Sequence, residues 1–219
     1  MPFTVRSRLV LVVVALFLVG PLVVDEARAR YEDLTAEQVE ALKKAWRVTN
    51  ARQVGTAWTE PGFPVHDWDT ATSGAFAEGL ELAKGKVYGW PNPDAEWIWS
   101  RGGNTAYFRR EFGLPRNLVK DEDGGVEERI VVRITANNSY SFYVNGVLVH
   151  SDSSDDEEDW MTYDQFDVTE YLDVGDNVFA VEAVNTHDPE NYGLLFDAEL
   201  VRVGAGGIIA PPPVRRAGC

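Results

Sequence analysis

Apolar and polar positions take turns in short runs along the second half of this chain. The clearest case is SYSFYVNGVLVH, residues 139–150. Tyr140, Phe142 and Val144 fall on one face, an Asn-Gly pair follows, and Val147 and Val149 resume the alternation. Period two in β-branched and aromatic residues predicts strand, and Asn145-Gly146 suits a two-residue type I′ turn. An isolated hairpin is marginal in water, so the ribbon predicts a larger sheet. Further strand-like runs are EWIWS (96–100), TAYFRREF (105–112), ERIVVRITA (128–136), YDQFDV (163–168), NVFAVEAVN (177–185) and YGLLFDAELVRV (192–203). Turn signals at Asn137-Asn138 and Val174-Gly175-Asp176 separate them. Many short strands with no helices between them predict a sandwich or barrel and argue against a parallel α/β sheet.

The finer pattern sorts these strands. In 177–185, Phe179, Val181 and Ala183 share one face. Val178, Ala180 and Val184 share the other with one charge, Glu182. A strand apolar on both faces belongs in the middle of a sheet covered on both sides. Glu182 then reaches solvent near the strand end or marks a bulge. Leu194, Leu195 and Phe196 form a second such run. Trp97 and Trp99 flank Ile98 on one strand face and read as core. Phe166, Val168 and Leu172 can turn into the same core.

Upstream the period changes. Residues 33–47, DLTAEQVEALKKAWR, place Val39, Leu42 and Trp46 on one helical face behind a Thr35/Gln38 capping pattern. Residues 50–95 are rich in Gly, Pro, Asp and Thr and read as loops. Before the helix, Arg6 and Arg8 precede an apolar run from Leu9 to Val24, followed by Ala27-Arg28-Ala29. This layout predicts a secretory signal peptide over 1–29, with an uncleaved membrane anchor as the alternative. The expected order is signal peptide 1–29, helix and linker 30–54, sandwich 55–203, and a Gly- and Pro-rich disordered tail 204–219.

Charge and cysteine narrow the partners. A formal net charge of −15 argues against nucleic acid and anionic membrane surfaces. Any membrane contact is then expected only through the N-terminal segment. The single cysteine, Cys219, rules out an intramolecular disulfide, leaving an intermolecular one possible.

The ordered set AEWIWS, TAYFRREFGLP, ERIVVRITANNSYSFYVNGVLV, YDQFDVTEYLDVGDNVFAVEAVN and GLLFDAELV resembles the galactose-binding-domain-like β-sandwich. It most resembles the non-catalytic sugar-binding domains beside catalytic domains in bacterial α-L-rhamnosidases and related glycoside hydrolases, over about Gly55 to Val203. The resemblance implies a mainly β jelly roll of two antiparallel sheets with binding loops at one edge. Some such domains carry a structural calcium near the start of the sandwich, touched by a carboxylate on the final strand. By that resemblance Asp67, Asp69 and Glu199 are metal candidates.

The chemistry legible in the residues themselves is recognition. Aromatic faces stack on the C–H face of a pyranose while amides, carboxylates and imidazoles bond its hydroxyls. Asn185, His187, Asn191 and Tyr192 lie in one predicted loop, and Trp90 and Trp160 are further platforms. The competing reading of that loop is a solvated turn. The acidic run SDSSDDEEDW (151–160) could hold calcium, but it lacks EF-hand spacing and reads as a solvated loop. No G-x-S-x-G or H-E-x-x-H occurs, and no motif selects a pair of carboxylates. The expectation is a secreted, non-catalytic carbohydrate-binding module that needs no cofactor and meets a glycan or cell-surface polysaccharide. The alternatives are a structural or protein-interaction sandwich and a glycoside hydrolase component.

Overall fold

The computed structural model describes residues 45–73, 87, 89–100, 102–118, 126–153, 159–186 and 192–204. All belong to one compact unit, residues 38–219. The expected signal peptide, the tail from residue 205 with Cys219, and residues 154–158 of the acidic run lie outside this set. Among the described residues no helix is long and apolar enough to cross a membrane.

Among the described residues, eleven strands form two antiparallel sheets. They are β1 (Arg47–Thr49), β2 (Asp69–Thr70), β3 (Thr72–Ser73), β4 (Trp97–Trp99), β5 (Thr105–Leu114), β6 (Val126–Asn137), β7 (Ser139–Val144), β8 (Val147–Asp152), β9 (Asp164–Asp167), β10 (Gly175–Val184) and β11 (Gly193–Gly204). One sheet has six strands in the order β2-β1-β5-β10-β7-β8, and the other has five in the order β3-β4-β11-β6-β9. Every strand expected from 96 onward is present within a few residues. The sheet begins earlier than residue 55, however, because β1 pairs with β5 through Val48↔Phe108. The expected helix over 33–47 falls mostly outside the described residues. Its final residue, Arg47, instead opens β1, and Trp46 is a core residue.

The inner faces meet in one core. Phe108, Phe142, Phe179, Ile130, Ile134 and Leu194 are fully buried there. Phe112 and Phe179 approach to 4.5 Å between centroids, and Phe142 lies 5.8 Å from Phe196 across the sandwich. Burying each such ring contributes about 1.5–3 kcal/mol before the entropy of ordering it.

β10 is central, between β5 and β7, as its two apolar faces require. Its inner face carries Phe179, Val181 and Ala183, while Ala180 joins a separate outer cluster with Trp58, Trp68 and Tyr107. Of the two expectations for Glu182, the bulge is not met: pairing with β5 and β7 runs through it opposite Tyr107 and Ser141, and the residue is half-buried two positions before the end of β10. Its charge is accommodated by the Tyr107 hydroxyl. Burial first, then the Glu182 charge and hydrogen bond, raise the Tyr107 phenol above its ordinary value. Burial and the same carboxylate raise Tyr143.

The β7–β8 turn has φ 48° at Asn145 and 84° at Gly146, the left-handed pair that type I′ demands. Asn145 locks it into the sheet, donating to Asn177 Oδ1 (2.7 Å) and Tyr171 O (2.9 Å) and accepting from Val178 N (2.8 Å). After the turn the alternation weakens. β8 is an edge strand with a register shift opposite Phe142/Tyr143, and Val147 is 50% exposed.

Candidate functional site

The register of β5 sets the site. Ala106, Phe108, Phe112 and Leu114 point into the core, and the position between Phe108 and Phe112 on that face is Arg110. An inward charge needs a place to go, and the neighbouring sheet supplies it. β4 is short and pairs with β11 only through Leu194↔Ile98 and Leu195↔Trp97. Beyond Leu195, among the described residues, β11 is paired on its β6 side alone. The gap left at this edge is a slot of about 350 Å³. That is enough for a small ligand, at the low end of the usual range of about 300–1,000 Å³.

Trp46 and Phe196 form the apolar walls, Ala71 and Ser73 one lip, and Asn92, Asp94 and Glu96 the other. Arg110, half-buried, lies among them, with its guanidinium carbon 4.5 Å from the Trp46 ring centroid and 5.7 Å from that of Phe196. Burial lowers the Arg110 guanidinium to about 9, with the charge of Asp197 opposing the drop. Asp197 accepts from Asn92 Nδ2 at 2.9 Å and lies 3.4 Å from Arg133 Nη1. Arg133 in turn donates to Glu199 (2.9 Å) and Gln165 (3.0 Å). A chain of alternating charges thus ties the slot to the outer face of the five-stranded sheet.

Residues 94–98, a turn leading into β4, border two environments. Asp94, Ala95, Glu96 and Ile98 line the slot, while Trp97 packs with Ala95, Val87 and Leu195 in an outer cluster. Trp90 and Trp160, both expected as platforms, converge on that cluster. The Trp160 ring meets Trp97 edge-on at 6.2 Å, and Trp90 meets Tyr163 at 5.2 Å. Both rings keep partial exposure. The Trp90 Nε1 atom is buried with no hydrogen-bond partner among the described residues.

The rest of the expected sugar loop behaves otherwise. Tyr192 is 8% exposed, and its ring stacks on Trp99 at 5.5 Å and 22° inside the core. Asn185 is 2% exposed, and its backbone N–H donates to Asn104 O at 2.8 Å. These two side chains are structural, because the start of β11 and the end of β10 are drawn inside to close the sandwich. His187 and Asn191 lie outside the described residues. Trp97 and Trp99 are both fully buried as expected, but in different clusters.

The metal candidates do not assemble. Among the described residues no group of three His, Cys, Asp or Glu side chains could hold a metal ion. Asp67 is exposed, 3.0 Å from His66 Nε2, and Asp69 is exposed on β2. Glu199 sits on β11 against the Arg133 guanidinium, whose charge occupies the carboxylate and repels a cation.

The slot was not expected from sequence. It gathers residues 45–46, 71–73, 92–98, 110 and 196–198, which no spacing rule connects. One signal was present: in TAYFRREF the apolar register Ala106, Phe108, Phe112 is broken by Arg110.

No family model matches this chain, and no curated protein matches it. Several solved structures share partial likeness. A β-glucuronidase of Bacteroides uniformis is 17% identical with a TM-score of 0.42, covering 71% of this chain and 17% of its own. A glycosyl hydrolase family 2 member from Bacteroides cellulosilyticus is 16% identical with a TM-score of 0.45, covering 74% of this chain and 20% of its own. An α-L-rhamnosidase of Streptomyces avermitilis, complexed with L-rhamnose, is 27% identical with a TM-score of 0.37, covering 51% of this chain and 10% of its own. The chain therefore spans only 10% to 20% of the length of these solved chains. Within that span it is a β-sandwich resembling parts of β-glucuronidases and α-L-rhamnosidases.

Proposed function

We propose that this protein is an exported, non-catalytic carbohydrate-binding module whose binding site is the slot at the open edge of β11. The observation that carries the reading is the composition of that slot. About 350 Å³ is bounded by two aromatic side chains and rimmed by an amide, a hydroxyl and carboxylates. A pyranose presents the complement, an apolar C–H face and a ring of hydroxyls that both donate and accept. The partly exposed rings of Trp90 and Trp160 lie on the far side of segment 92–97, where a longer glycan leaving the slot would pass. The rigid sandwich beneath fixes these groups without ligand-induced folding, which lowers the cost of binding.

The competing reading, a sandwich that serves only as scaffold or protein-interaction domain, draws on the burial of Tyr192 and Asn185. Titrating the full chain with a panel of neutral oligosaccharides in a calorimeter separates the two. Saccharide binding that Ser73→Trp abolishes, with the melting temperature unchanged, supports the slot. Ser73 is exposed on the lip, so a large ring there obstructs the opening without entering the core. A panel with no binder, or binding indifferent to Ser73→Trp, would count against it.

A further inference from the structure

The slot also carries a charge preference, and this inference rests on the saccharide reading above. Its charged lining divides into two sets. Arg110 feels the charge of Asp197, which also lines the slot and is engaged by Asn92 and Arg133. Asp94 and Glu96 are different. Both are exposed and line the slot, Asp94 in the turn 92–95 and Glu96 just before β4, and neither carboxylate has a hydrogen-bond or ion-pair partner among the described residues. Arg110 is committed within the slot, against two rings and within the field of a carboxylate. The charge left uncompensated at the rim is therefore negative.

We infer that the slot selects amino sugars, 2-amino-2-deoxyhexoses bearing a free ammonium, over neutral and acidic sugars. An ammonium in place of one hydroxyl donates to carboxylates that otherwise face water, and forms charge-assisted bonds with them. A uronate places a second carboxylate against the first two, and like charges at a few ångströms repel. The net charge of −15 on the whole chain adds a long-range field of the same sign, which favours approach of a cationic glycan.

The test uses the full chain and four matched probes: a β-1,4-linked glucosamine trimer, its N-acetylated form, a neutral glucose trimer and a galacturonate trimer. Calorimetry at low salt should give the amino trimer an affinity about tenfold above the neutral ones, with the uronate weakest. Raising the salt to about 0.5 M should shrink that advantage, since exposed charges are screened. In the Asp94→Asn/Glu96→Gln double variant the ratio of amino-trimer to neutral-trimer affinity, both measured on that variant, should fall to about threefold or less. Both side chains are exposed, so the variant should fold, which its melting curve checks. Equal affinity for amino and neutral trimers overturns this inference and leaves the saccharide reading standing. Tighter uronate binding overturns it likewise. No binding by any of the four removes the inference and the reading together.

Discussion

Arg109 and Arg110 are adjacent on β5, and the pleat sends them to opposite faces of the sheet. Both are buried guanidiniums, yet their surroundings differ in kind. Arg109 points outward and is covered by the segment around residues 57–68. It donates to Trp58 O at 2.6 Å and Glu60 O at 2.7 Å and pairs with Glu111. Its side chain is 1% exposed. Arg110 points inward, to where two sheets meet, and lies against the Trp46 and Phe196 rings, which touch one another, beside the slot. The first guanidinium meets carbonyl oxygens that need a donor. The second meets ring faces and a carboxylate and lines a space large enough for a ligand. A buried charge therefore identifies a site only through what surrounds it: backbone acceptors make a clamp, while a cavity with aromatic walls makes a candidate binding site.

Breaking the clamp should have the largest effect. Arg109→Ala leaves the buried Trp58 carbonyl and the partly buried Glu60 carbonyl without their donor and releases the segment that covers Trp58 and Trp68. We expect a loss of about 3 kcal/mol in denaturant unfolding. Saccharide binding by the folded fraction should not change, because Arg109 does not line the slot.

The same covering segment has a second anchor, which sharpens the comparison. Gly146 N donates to Thr59 O at 2.9 Å. Gly146→Ala forces a side chain into φ 84°, and a Cβ built there comes 2.9 Å from the Glu60 Cγ. The end of the Glu60 side chain can move aside, so backbone strain dominates and the expected cost is about 1 kcal/mol. A thermal melt detects it.

Arg110 should behave in the opposite sense to its neighbour. Arg110→Met replaces a desolvated charge by an apolar chain of similar length, and stability should stay within about 1 kcal/mol of the original. The pH dependence is more diagnostic. Burial holds the folded-state guanidinium at about 9, well below its ordinary value, so above about 9 the unfolded chain binds this proton more firmly. Stability associated with Arg110 is therefore gained as pH rises through about 9. The unvaried protein should gain on Arg110→Met between about pH 8 and about pH 10.5, measured by chemical unfolding at each pH. The raised phenols of Tyr107 and Tyr143 act against stability as pH passes 10, but they are present in both proteins and cancel in the difference. A gap independent of pH would place Arg110 in a more hydrated setting.

The two arginines also show how far sequence reaches. The long strands were legible because alternation over five or more residues is a strong signal, and the Asn145-Gly146 turn because only a few residues tolerate its backbone. Strands β1, β2 and β3 were not, since two or three residues carry no period. Trp46 was read correctly as core but on the wrong element, because one buried ring fits a helix face as well as a strand entry. Trp58 and Trp68 were passed over in a Gly- and Pro-rich stretch, although their rings cover the outer face of the six-stranded sheet. Tyr192 suits both a sugar platform and a core edge, and only its stacking on Trp99 decides. Trp90 and Trp160, each read as a candidate platform, pack on one outer cluster beside the slot, a convergence no spacing rule foretold. The slot itself joins five separate segments, so its single trace in the sequence was Arg110 at an apolar position.

The most direct test of the account is a two-dimensional amide NMR titration of the full chain with a neutral trisaccharide, and then with the glucosamine trimer. The account predicts that the amides of Ser73, Asp94, Ala95 and Glu96 and the Trp46 indole shift together and saturate, while those of Gly146 and Asp173 hold still. Shifts confined to other regions, or none at millimolar sugar, would contradict it.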